Sequence, residues 1–355
     1  MNIDCYRHPD DFPLDVAAFF AAASAGHVEG SADWFRNLVD QVYPADGGVH
    51  FYVLRKNGSP VVALPVRVNR SAFGWQLESL GNYYTSLYAP LLAPGATVSD
   101  LSALLQGIQK AHAPLAVMRF DPLDAQGPTF RMLQQALAAS GFKPFTFFRF
   151  GNWYLPVKED GSTYLQNRPG ALRSTLRRMG KKFAADGGTL RVIRGGTDLE
   201  NGLASYLQVY AASWKKAEGY PGFIPSLIRT CASKGWLRLG IASLGQQPVA
   251  AQIWIVSEGK ASIYKLAYDE RFKAYAPGTL LTAQLMQHAI DVDAVAEVDY
   301  LIGDDPYKQD WMTERRERWG IVAYNPATPL GLLGWCKETL TRTLKRTVHR
   351  WRTSS

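Results

Sequence analysis

The sequence predicts an α+β protein made of two similar domains, each with a central, mostly antiparallel sheet flanked by helices. The chain has 355 residues, which is about twice the length of a common domain. The order of predicted strands and helices in its first half recurs in its second half. A short echo accompanies this repeat, because "GSPVVA" at 58–63 and "GQQPVAA" at 245–251 each follow a turn and open a strand.

The composition indicates an ordered protein and excludes several classes. Hydrophobic residues make up 47% of the chain and aromatic residues 12%, which is ample material for buried cores. No run approaches the ~18 to 20 apolar residues of a membrane span, and the N-terminus lacks a signal-peptide pattern, so we expect a cytoplasmic protein. Three widely separated cysteines give no disulfide framework and no zinc-type spacing, so no metal is expected.

The first half, residues 1–155, contains the elements of one such domain. Alternating apolar residues predict two strands around the Asn57-Gly58 turn and a third strand after them. A helix, a strand and a second helix follow. The predicted elements are strands within 49–69, a strand at 73–80, a helix at 99–112, a strand at 114–120 and a helix at 128–140.

The second domain is predicted at 189–328, after a basic helical linker at 156–188 that ends at Gly187-Gly188, where two glycines stop a helix. Its pattern is strand, two helices, three antiparallel strands, helix and strand. The predicted elements are a strand at 189–195, helices at 199–217 and 225–235, strands at 236–244, 247–256 and 261–268, a helix from Thr279 and a strand at 296–302.

The linker helix carries a basic face. Arg173, Arg177 and Lys181 follow one another at i+4 spacing, with Arg178 and Lys182 beside them. Such a face suits the 3′-phosphate of coenzyme A, a nucleotide-linked sugar or a tRNA. A solvated helix face gives the same pattern, and the sequence leaves these alternatives open.

A basic loop leads from the strand at 261–268 into the next helix. The first N–H groups of a helix have no backbone partners and carry partial positive charge, so they bind phosphate or another anion. Gly278 allows a ligand close to the backbone, Pro277 fixes the entry of the chain, and Thr279 adds a hydroxyl. Arg271 and Lys273 add charge nearby. The stretch therefore predicts an anion site.

The same stretch resembles the cofactor loop of the GNAT acyltransferases, which bind the pyrophosphate of acyl-CoA between a strand and a helix. The resemblance is closer to the BioF2-like or CelD-type acetyltransferase branch, which is related to the FemAB peptidyltransferases and has two GNAT-like folds in one chain. It covers about residues 160–320, with Ala276 where that branch commonly has Ser. The motifs that carry it are Tyr275-Ala-Pro-Gly-Thr-Leu-Leu281 and Asp299-Tyr-Leu-Ile-Gly-Asp-Asp-Pro-Tyr-Lys-Gln-Asp-Trp311.

The resemblance implies acetyl-CoA or another acyl-CoA as co-substrate, bound by the second half. The backbone of the strand before the loop would supply the oxyanion donor. The first half has Pro94-Gly95 before a helix but no basic residue close upstream, so it would shape the acceptor cleft. The implied cofactor-binding residues are Leu266, Ala267, Tyr268, Arg271, Lys273, Ala276, Gly278, Thr279 and Leu280.

Four residues in the loop after the last predicted strand are the catalytic candidates. Asp304 or Asp305 is a candidate general base if burial raises its pKa, although turn carboxylates in "GDDP" are commonly solvated. Tyr307 is a candidate proton donor to the departing thiolate, or a packing residue. Lys308 is a candidate binder of an anionic acceptor group, or the partner of Asp299 in an ion pair.

The last segment, 329–355, predicts a basic amphipathic helix. It carries six basic residues and one acid, Glu338. Contact with an anionic membrane and packing on the protein body both explain its apolar stripe, and a peripheral position at the inner membrane face would fit a lipid-linked acceptor. The stripe consists of Leu333, Cys336, Leu340, Leu344, Val348 and Trp351.

Three functions fit these observations. The first is direct acyl transfer from acyl-CoA to the nitrogen or oxygen of a small-molecule or glycan acceptor, such as an amino sugar or an exopolysaccharide or envelope component. The second is FemAB-like transfer from aminoacyl-tRNA. Nucleic acid is not expected as a partner otherwise, because the basic excess of the chain lies mainly in the tail and not on a broad face. The third is a non-catalytic GNAT-like binding module.

Overall fold

The computed structural model describes residues 1–44, 47–71 and 74–353, which contain thirteen strands and ten α-helices. The strands are β1 (Asn2–Tyr6), β2 (Val49–Lys56), β3 (Ser59–Ser71), β4 (Gly74–Ser79), β5 (Leu91–Leu92), β6 (Leu115–Asp124), β7 (Lys143–Pro156), β8 (Gly188–Ile193), β9 (Leu237–Leu244), β10 (Gln247–Ser257), β11 (Lys260–Tyr268), β12 (Glu297–Asp299) and β13 (Glu314–Tyr324). The helices are α1 (Leu14–Ala23), α2 (Ala32–Gln41), α3 (Val98–Ala111), α4 (Pro128–Ala139), α5 (Gly161–Gln166), α6 (Gly170–Ala185), α7 (Leu199–Ala211), α8 (Phe223–Ser233), α9 (Pro277–Gln287) and α10 (Pro329–Thr353).

The chain forms two compact units whose boundaries differ from the predicted ones. The first unit consists of 1–25, 29–150 and 317–355, and the second of 26–28 and 151–316. The predicted boundary at 155 falls inside β7, a single continuous strand. The predicted linker, which contains α5 and α6, is an integral part of the second unit, because Leu172 and Phe183 of α6 are buried in its core.

In the first unit, β1, β2, β3 and β4 form an antiparallel meander, β6 joins β4 in parallel, and β13 joins β6 antiparallel. Helices α3 and α4 pack on this sheet through apolar faces that include Leu104 and Leu133. Ile321 and Ala323 of β13 are fully buried in the same core. The end of the chain therefore completes the first sheet.

The second unit repeats this arrangement. Strands β8, β9, β10 and β11 are antiparallel, β12 joins β11 in parallel, and β7 joins β12 antiparallel. Helix α9, between β11 and β12, occupies the place of α3, which lies between the parallel neighbours β4 and β6. Leu281 and Leu285 of α9 pack into the core with Trp254 of β10. The predicted repeat of element order is present in both units.

Several elements were not predicted. These are β1, α1, α2, β7 and β13. In β13 only the second half is buried, and its first residues, "ERRER", carry no apolar alternation. Among the described residues, no helix combines the length and the apolar character needed to cross a membrane.

The place of β13 in the first core is tested by Ile321→Ala. Removing this fully buried side chain should lower the free energy of unfolding by about 2–5 kcal/mol, because the transfer term and the cavity term add. Leu14→Ala, at a side chain that is 92% exposed, is the matched control and should change it by less than about 0.5 kcal/mol. Chemical denaturation measures both, and equal effects would contradict the assignment of β13 to this core.

Candidate functional site

Strands β11 and β12 pair only at their beginnings. The parallel ladder joins Lys260, Ala261 and Ser262 to residues 297–299 and then stops. After Asp299 the chain turns toward β7, since the N–H of Tyr300 donates to the carbonyl of Trp153 at 2.9 Å. On the side that faces β12, Leu266, Ala267 and Tyr268 have no strand partner among the described residues, so the edge of β11 is open at this end.

The open edge carries backbone donors. The N–H of Asp269 donates to Val249 of β10 at 2.9 Å, and strand residues alternate the side on which their N–H points. The N–H of Ala267 therefore points into the ladder with β10. The N–H groups of Leu266 and Tyr268 point to the open edge. Of the three predicted oxyanion residues, two present their N–H groups there.

Helix α9 starts just beyond this strand and has no side-chain cap. Ala276, the residue before it, adopts a left-handed conformation with φ of 48°, and Pro277 is the first helical residue. The N–H of Leu280 donates to the carbonyl of Ala276 at 3.1 Å, so it is used inside the helix. Within the described residues, the N–H groups of Gly278 and Thr279 have no acceptor. Two donors at a positive helix end are left for a ligand.

A buried amide fixes this helix start against the sheet. Gln252 of β10 is 1% exposed and donates through Nε2 to the carbonyl of Gly278 at 3.0 Å and to Oγ1 of Thr282 at 2.8 Å. Its Oε1 accepts from Nε1 of Trp254 at 2.9 Å. Every polar atom of the Gln252 side chain is thus engaged, and the first turn of α9 is held in one position.

Nothing inside the protein requires a glycine at 278. Its φ lies outside the left-handed region, and an added Cβ would meet only the ring of Tyr268, at an ordinary contact distance of 3.5 Å. Gly240, in contrast, is required by packing, because a Cβ there would lie 2.7 Å from Leu285. The absence of a side chain at 278 therefore leaves room on the ligand side of the helix start.

The basic residues of the loop differ in availability. Arg271 is paired with Asp269, at 2.6 Å between Nη2 and Oδ2. The guanidinium holds the pKa of the Asp269 carboxyl below its usual value. Lys273 is exposed and has no carboxylate partner among the described residues. The ammonium of Lys182 lies 4.5 Å from the ring centroid of Tyr275, which brings the end of α6 to this loop.

The predicted basic face of α6 is exposed. Only Leu172 and Phe183 of this helix are buried. Its basic side chains point to solvent, and none has a carboxylate partner in the part of the chain that the structure describes: Arg173, Arg177, Arg178, Lys181 and Lys182. The helix therefore adds unneutralised positive charge beside the loop that precedes α9.

The corresponding helix of the first unit starts differently. Thr97 caps α3, with its Oγ1 accepting from the N–H of Asp100, and the Asp100 carboxylate accepts from the N–H of Thr97 at 3.0 Å. Asp100 is 2% exposed and also pairs with Lys56 at 3.1 Å. The protein's own carboxylate thus occupies the helix end that α9 leaves open.

A buried ion cluster holds the point where β11 and β12 separate. The carboxylate of Asp299 is 1% exposed and accepts from Lys260, Arg316 and Asn152, each at 2.6 Å. Burial opposes its ionisation, but the two cations hold its pKa well below the usual range. The N–H of Leu301 also donates to it at 2.7 Å. The turn after β12 is thereby fixed.

Asp304 is a bound carboxylate. It accepts hydrogen bonds from Nε1 of Trp153 at 2.6 Å and from Nη2 of Arg315 at 2.7 Å. The Arg315 guanidinium lowers the pKa of Asp304. A general base at this position needs a raised pKa, so this environment opposes that role.

Lys308 and Asp305 form one unit of the same loop. The Lys308 side chain is buried, its ammonium donates to the carbonyls of Ile302 at 2.6 Å and Gly303 at 3.2 Å, and it pairs with Asp305 at 3.3 Å. Desolvation lowers the pKa of Lys308. The alternative of an ion pair with Asp299 is not observed. Asp305 is 59% exposed, and Lys308 serves here to hold the loop backbone.

Tyr307 lies in the same loop and is 44% exposed. Its ring packs edge-to-face on Tyr300 at 5.8 Å between centroids. Desolvation, with the charge of Asp305, raises the pKa of Tyr307 to about 12. The phenol therefore keeps its proton at neutral pH and can donate a hydrogen bond.

Lys215, in the loop after α7, was not singled out by sequence. Desolvation and the neighbouring charge of Lys265 lower its pKa to about 8, against the opposite effect of Glu218. Lys265 and Glu218 pair at 2.6 Å, and no carboxylate of the described residues lies within ion-pair distance of Lys215. The adjacent Trp214 packs on Tyr268 at 4.7 Å between centroids, so this loop lies at the end of β11.

The sequence patterns missed four residues that shape this site: Gln252, Lys260, Arg316 and Lys215. Gln252 lies in a predicted strand and reads as part of its ordinary alternation, and Lys260 lies in the predicted turn just before the strand at 261–268. Arg316 belongs to a strand that was not predicted. The pKa of Lys215 depends on charges about 50 and 93 positions away in the sequence, at Lys265 and Lys308, and no local spacing reports them.

Comparisons with known proteins find a family match for part of the chain and solved structures of similar fold. The model of a family described as "Acetyltransferase (GNAT) domain" matches residues 170–309. A search among curated protein sequences found no match.

Solved structures of similar fold include three that span almost the whole chain. FemX superposes with a TM-score of 0.61 at 12% identity, covering 92% of this chain and 98% of FemX. L-PGS from Bacillus licheniformis gives 0.54 at 14% identity, covering 91% and 94%. A tandem GNAT protein from the clavulanic acid biosynthesis pathway gives 0.50 at 13% identity, covering 90% and 98%. The fold of the chain is therefore that of two GNAT-like domains in tandem, and the family model matches within the second of them.

The ion cluster is tested by Asp299→Asn. The amide cannot neutralise Lys260 and Arg316, and breaking a buried pair from one side should cost about 3–5 kcal/mol of unfolding free energy. Glu200→Gln is the matched control, since its ion pair with Arg229 is exposed, and it should have little effect. Denaturant titration compares them, and similar losses would argue against the cluster.

The same cluster predicts a dependence on pH. Because the folded-state pKa of Asp299 is depressed, its stabilisation is present above the unfolded pKa of about 3.9 and is lost as pH falls through the folded pKa. The wild type should therefore lose stability in acid more steeply than Asp299→Asn. Parallel acid profiles of the two proteins would contradict this origin.

The environment of Lys215 is tested by measuring its pKa directly. The rate of its acylation by an amine reagent, followed by peptide mass spectrometry against pH, should give a midpoint of about 8. Lys265→Met should raise this midpoint, because a like charge is removed, and Glu218→Gln should lower it. A midpoint that neither substitution moves would show that these charges do not act on Lys215.

Proposed function

We propose that the protein is an acyl-CoA-dependent acyltransferase that transfers an acyl group directly to a nitrogen or oxygen of its acceptor. The observation that carries this proposal is the uncapped start of α9, with two free N–H donors, at the end of a strand whose edge is open. The open edge and the helix start are adjacent along the chain. One elongated donor with an anionic end and a carbonyl end fits both.

The residues present suit such a donor. The N–H groups of Gly278 and Thr279, with the ammonium of Lys273, would bind the pyrophosphate. The N–H groups of Leu266 and Tyr268 would donate to the thioester carbonyl as it gains negative charge. The basic face of α6 would meet the 3′-phosphate.

The transfer itself requires one proton acceptor and one proton donor. The acceptor amine or hydroxyl attacks the carbonyl carbon, the carbon–sulfur bond breaks, and the attacking group loses a proton. Lys215 has a pKa of about 8 and is partly neutral near pH 8. It is therefore our candidate general base, the group that accepts this proton. Tyr307 would donate a hydrogen bond to the departing sulfur.

The resemblance to the BioF2-like or CelD-type branch guides the choice of acceptor. The motif from Tyr275 to Leu281 and that from Asp299 to Trp311 support this branch, which is tied to exopolysaccharide and envelope glycans. An amino sugar or a sugar hydroxyl is therefore the acceptor to test first. The fold similarity to FemX and L-PGS leaves the donor class open.

A second candidate is FemAB-like transfer from aminoacyl-tRNA. The exposed basic face of α6 favours it, because five cationic side chains without carboxylate partners suit the sugar-phosphate backbone of tRNA. Salt separates the two donors, since tRNA affinity should fall steeply with ionic strength and CoA affinity less so. A non-catalytic module would bind neither donor productively and show no turnover.

The proposed function is tested by calorimetric titration of the wild type and Gly278→Val with acetyl-CoA, longer acyl-CoAs and free CoA. A branched side chain at the helix start should weaken binding at least about tenfold, through loss of hydrogen bonds to a charged group. Thermal unfolding should change little, because the added Cβ meets only an ordinary contact.

Ser99→Val is the matched control, because it lies at the second position of α3 in the first unit, as Gly278 does in α9. It should leave affinity unchanged. If the wild type binds no CoA species, the proposal fails, and salt-dependent binding of aminoacyl-tRNA becomes the decisive titration.

A further inference from the structure

Helix α10 packs on the first unit with its small and polar residues. A Cβ at Gly331 would lie 2.0 Å from the carbonyl oxygen of Asn325, and one at Gly334 would lie 2.4 Å from the ring of Tyr324, so both glycines permit close packing. Arg342 donates to the carbonyl of Thr146 at 2.5 Å. This face of the helix is therefore the one that is covered.

The leucines of α10 lie on the other side. Leu333, Leu340 and Leu344 are 69%, 63% and 58% exposed. Their spacing of seven and four residues places them on one helix face, over a length of about 16 Å at 1.5 Å per residue. Leu332, at the flank of this face, is 42% exposed. Three leucines of the stripe predicted from sequence thus face away from the first unit, and packing on the body does not explain them.

The sequence of this segment is strongly basic. Residues 329–355 carry six basic residues against Glu338, and Glu338 is paired with Arg342 at 2.8 Å on the covered face. Lys337 is exposed and lies between Leu333 and Leu340 on the leucine face. The side chains of Val348 and Trp351 lie outside the described part. The described part of the exposed face of α10 is therefore apolar with one cation, Lys337, while Glu338, the one acidic residue of this segment, is paired on the covered face.

We propose that this face of α10 docks the protein on an anionic lipid surface. A helix with leucines on one face and lysine or arginine beside them inserts its apolar side chains below the headgroups while its cations meet the lipid phosphates. A second copy of the chain is a poorer occupant, because pairing two such faces would bring like charges together. The surface belongs to the first unit and does not depend on the proposed acyl transfer.

The test is sedimentation of the full chain with vesicles of phosphatidylcholine alone and with vesicles of equal parts phosphatidylcholine and phosphatidylglycerol. Binding to the anionic vesicles should be at least about tenfold tighter and should weaken as salt is added. The variant Leu333→Ser/Leu340→Ser/Leu344→Ser should lose at least about tenfold in affinity for them. Leu14→Ser, at an exposed leucine elsewhere, is the matched control and should bind as the wild type does.

Circular dichroism and thermal unfolding of the triple variant distinguish lost docking from lost folding, and its exposed positions should leave both unchanged. Absence of vesicle binding, or equal binding of the wild type and a folded triple variant, would overturn the proposal. A dimer in light scattering that the triple variant abolishes, without vesicle binding, would assign the face to a second copy instead.

Discussion

A helix that begins without a cap is the constraint around which the second unit is organised. The first turn of α9 leaves two backbone donors without acceptors, and a helix end of this kind is stable only where water or a ligand reaches it. The position of this turn is nevertheless fixed, because the side-chain amide of Gln252 donates a hydrogen bond to the carbonyl of Gly278. The fold thus holds two backbone donors in a fixed position at the end of β11. The open edge of that strand is adjacent to them along the chain.

The two units share one topology but differ at the start of the corresponding helix. Both place a helix in the connection between the two parallel neighbouring strands of the sheet, β4 and β6 in the first unit and β11 and β12 in the second. In the first unit Thr97 and Asp100 satisfy the start of that helix, and the buried carboxylate would repel an anionic ligand. In the second unit Ala276 provides no cap, and Lys273 lies nearby without a carboxylate partner among the described residues. Of the two corresponding helix starts, only that of α9 carries no acid of its own.

The fold could be predicted further from sequence than the site could. Alternating apolar residues and glycine turns are local signals, and they predicted both meanders and the repeat of elements. The assignment of β13 to the first unit could not be predicted, because it depends on residues about 200 positions apart, such as Ala323 and Met118. The roles of loop residues were equally hidden. In sequence, Lys308 is a candidate binder of an anionic acceptor group or the partner of Asp299, yet its ammonium donates to two backbone carbonyls of its own loop.

The central claim is that one donor lies on the open edge of β11 and on the start of α9. Nitrogen–proton correlation spectra of the labelled protein, recorded with and without acetyl-CoA, test this most directly. The account predicts that the amide signals of Leu266, Tyr268, Gly278 and Thr279 shift together at one saturation point, while those of Thr97 and Asp100 stay in place. Shifts confined to the first unit, or to α6 without the helix start, would contradict it.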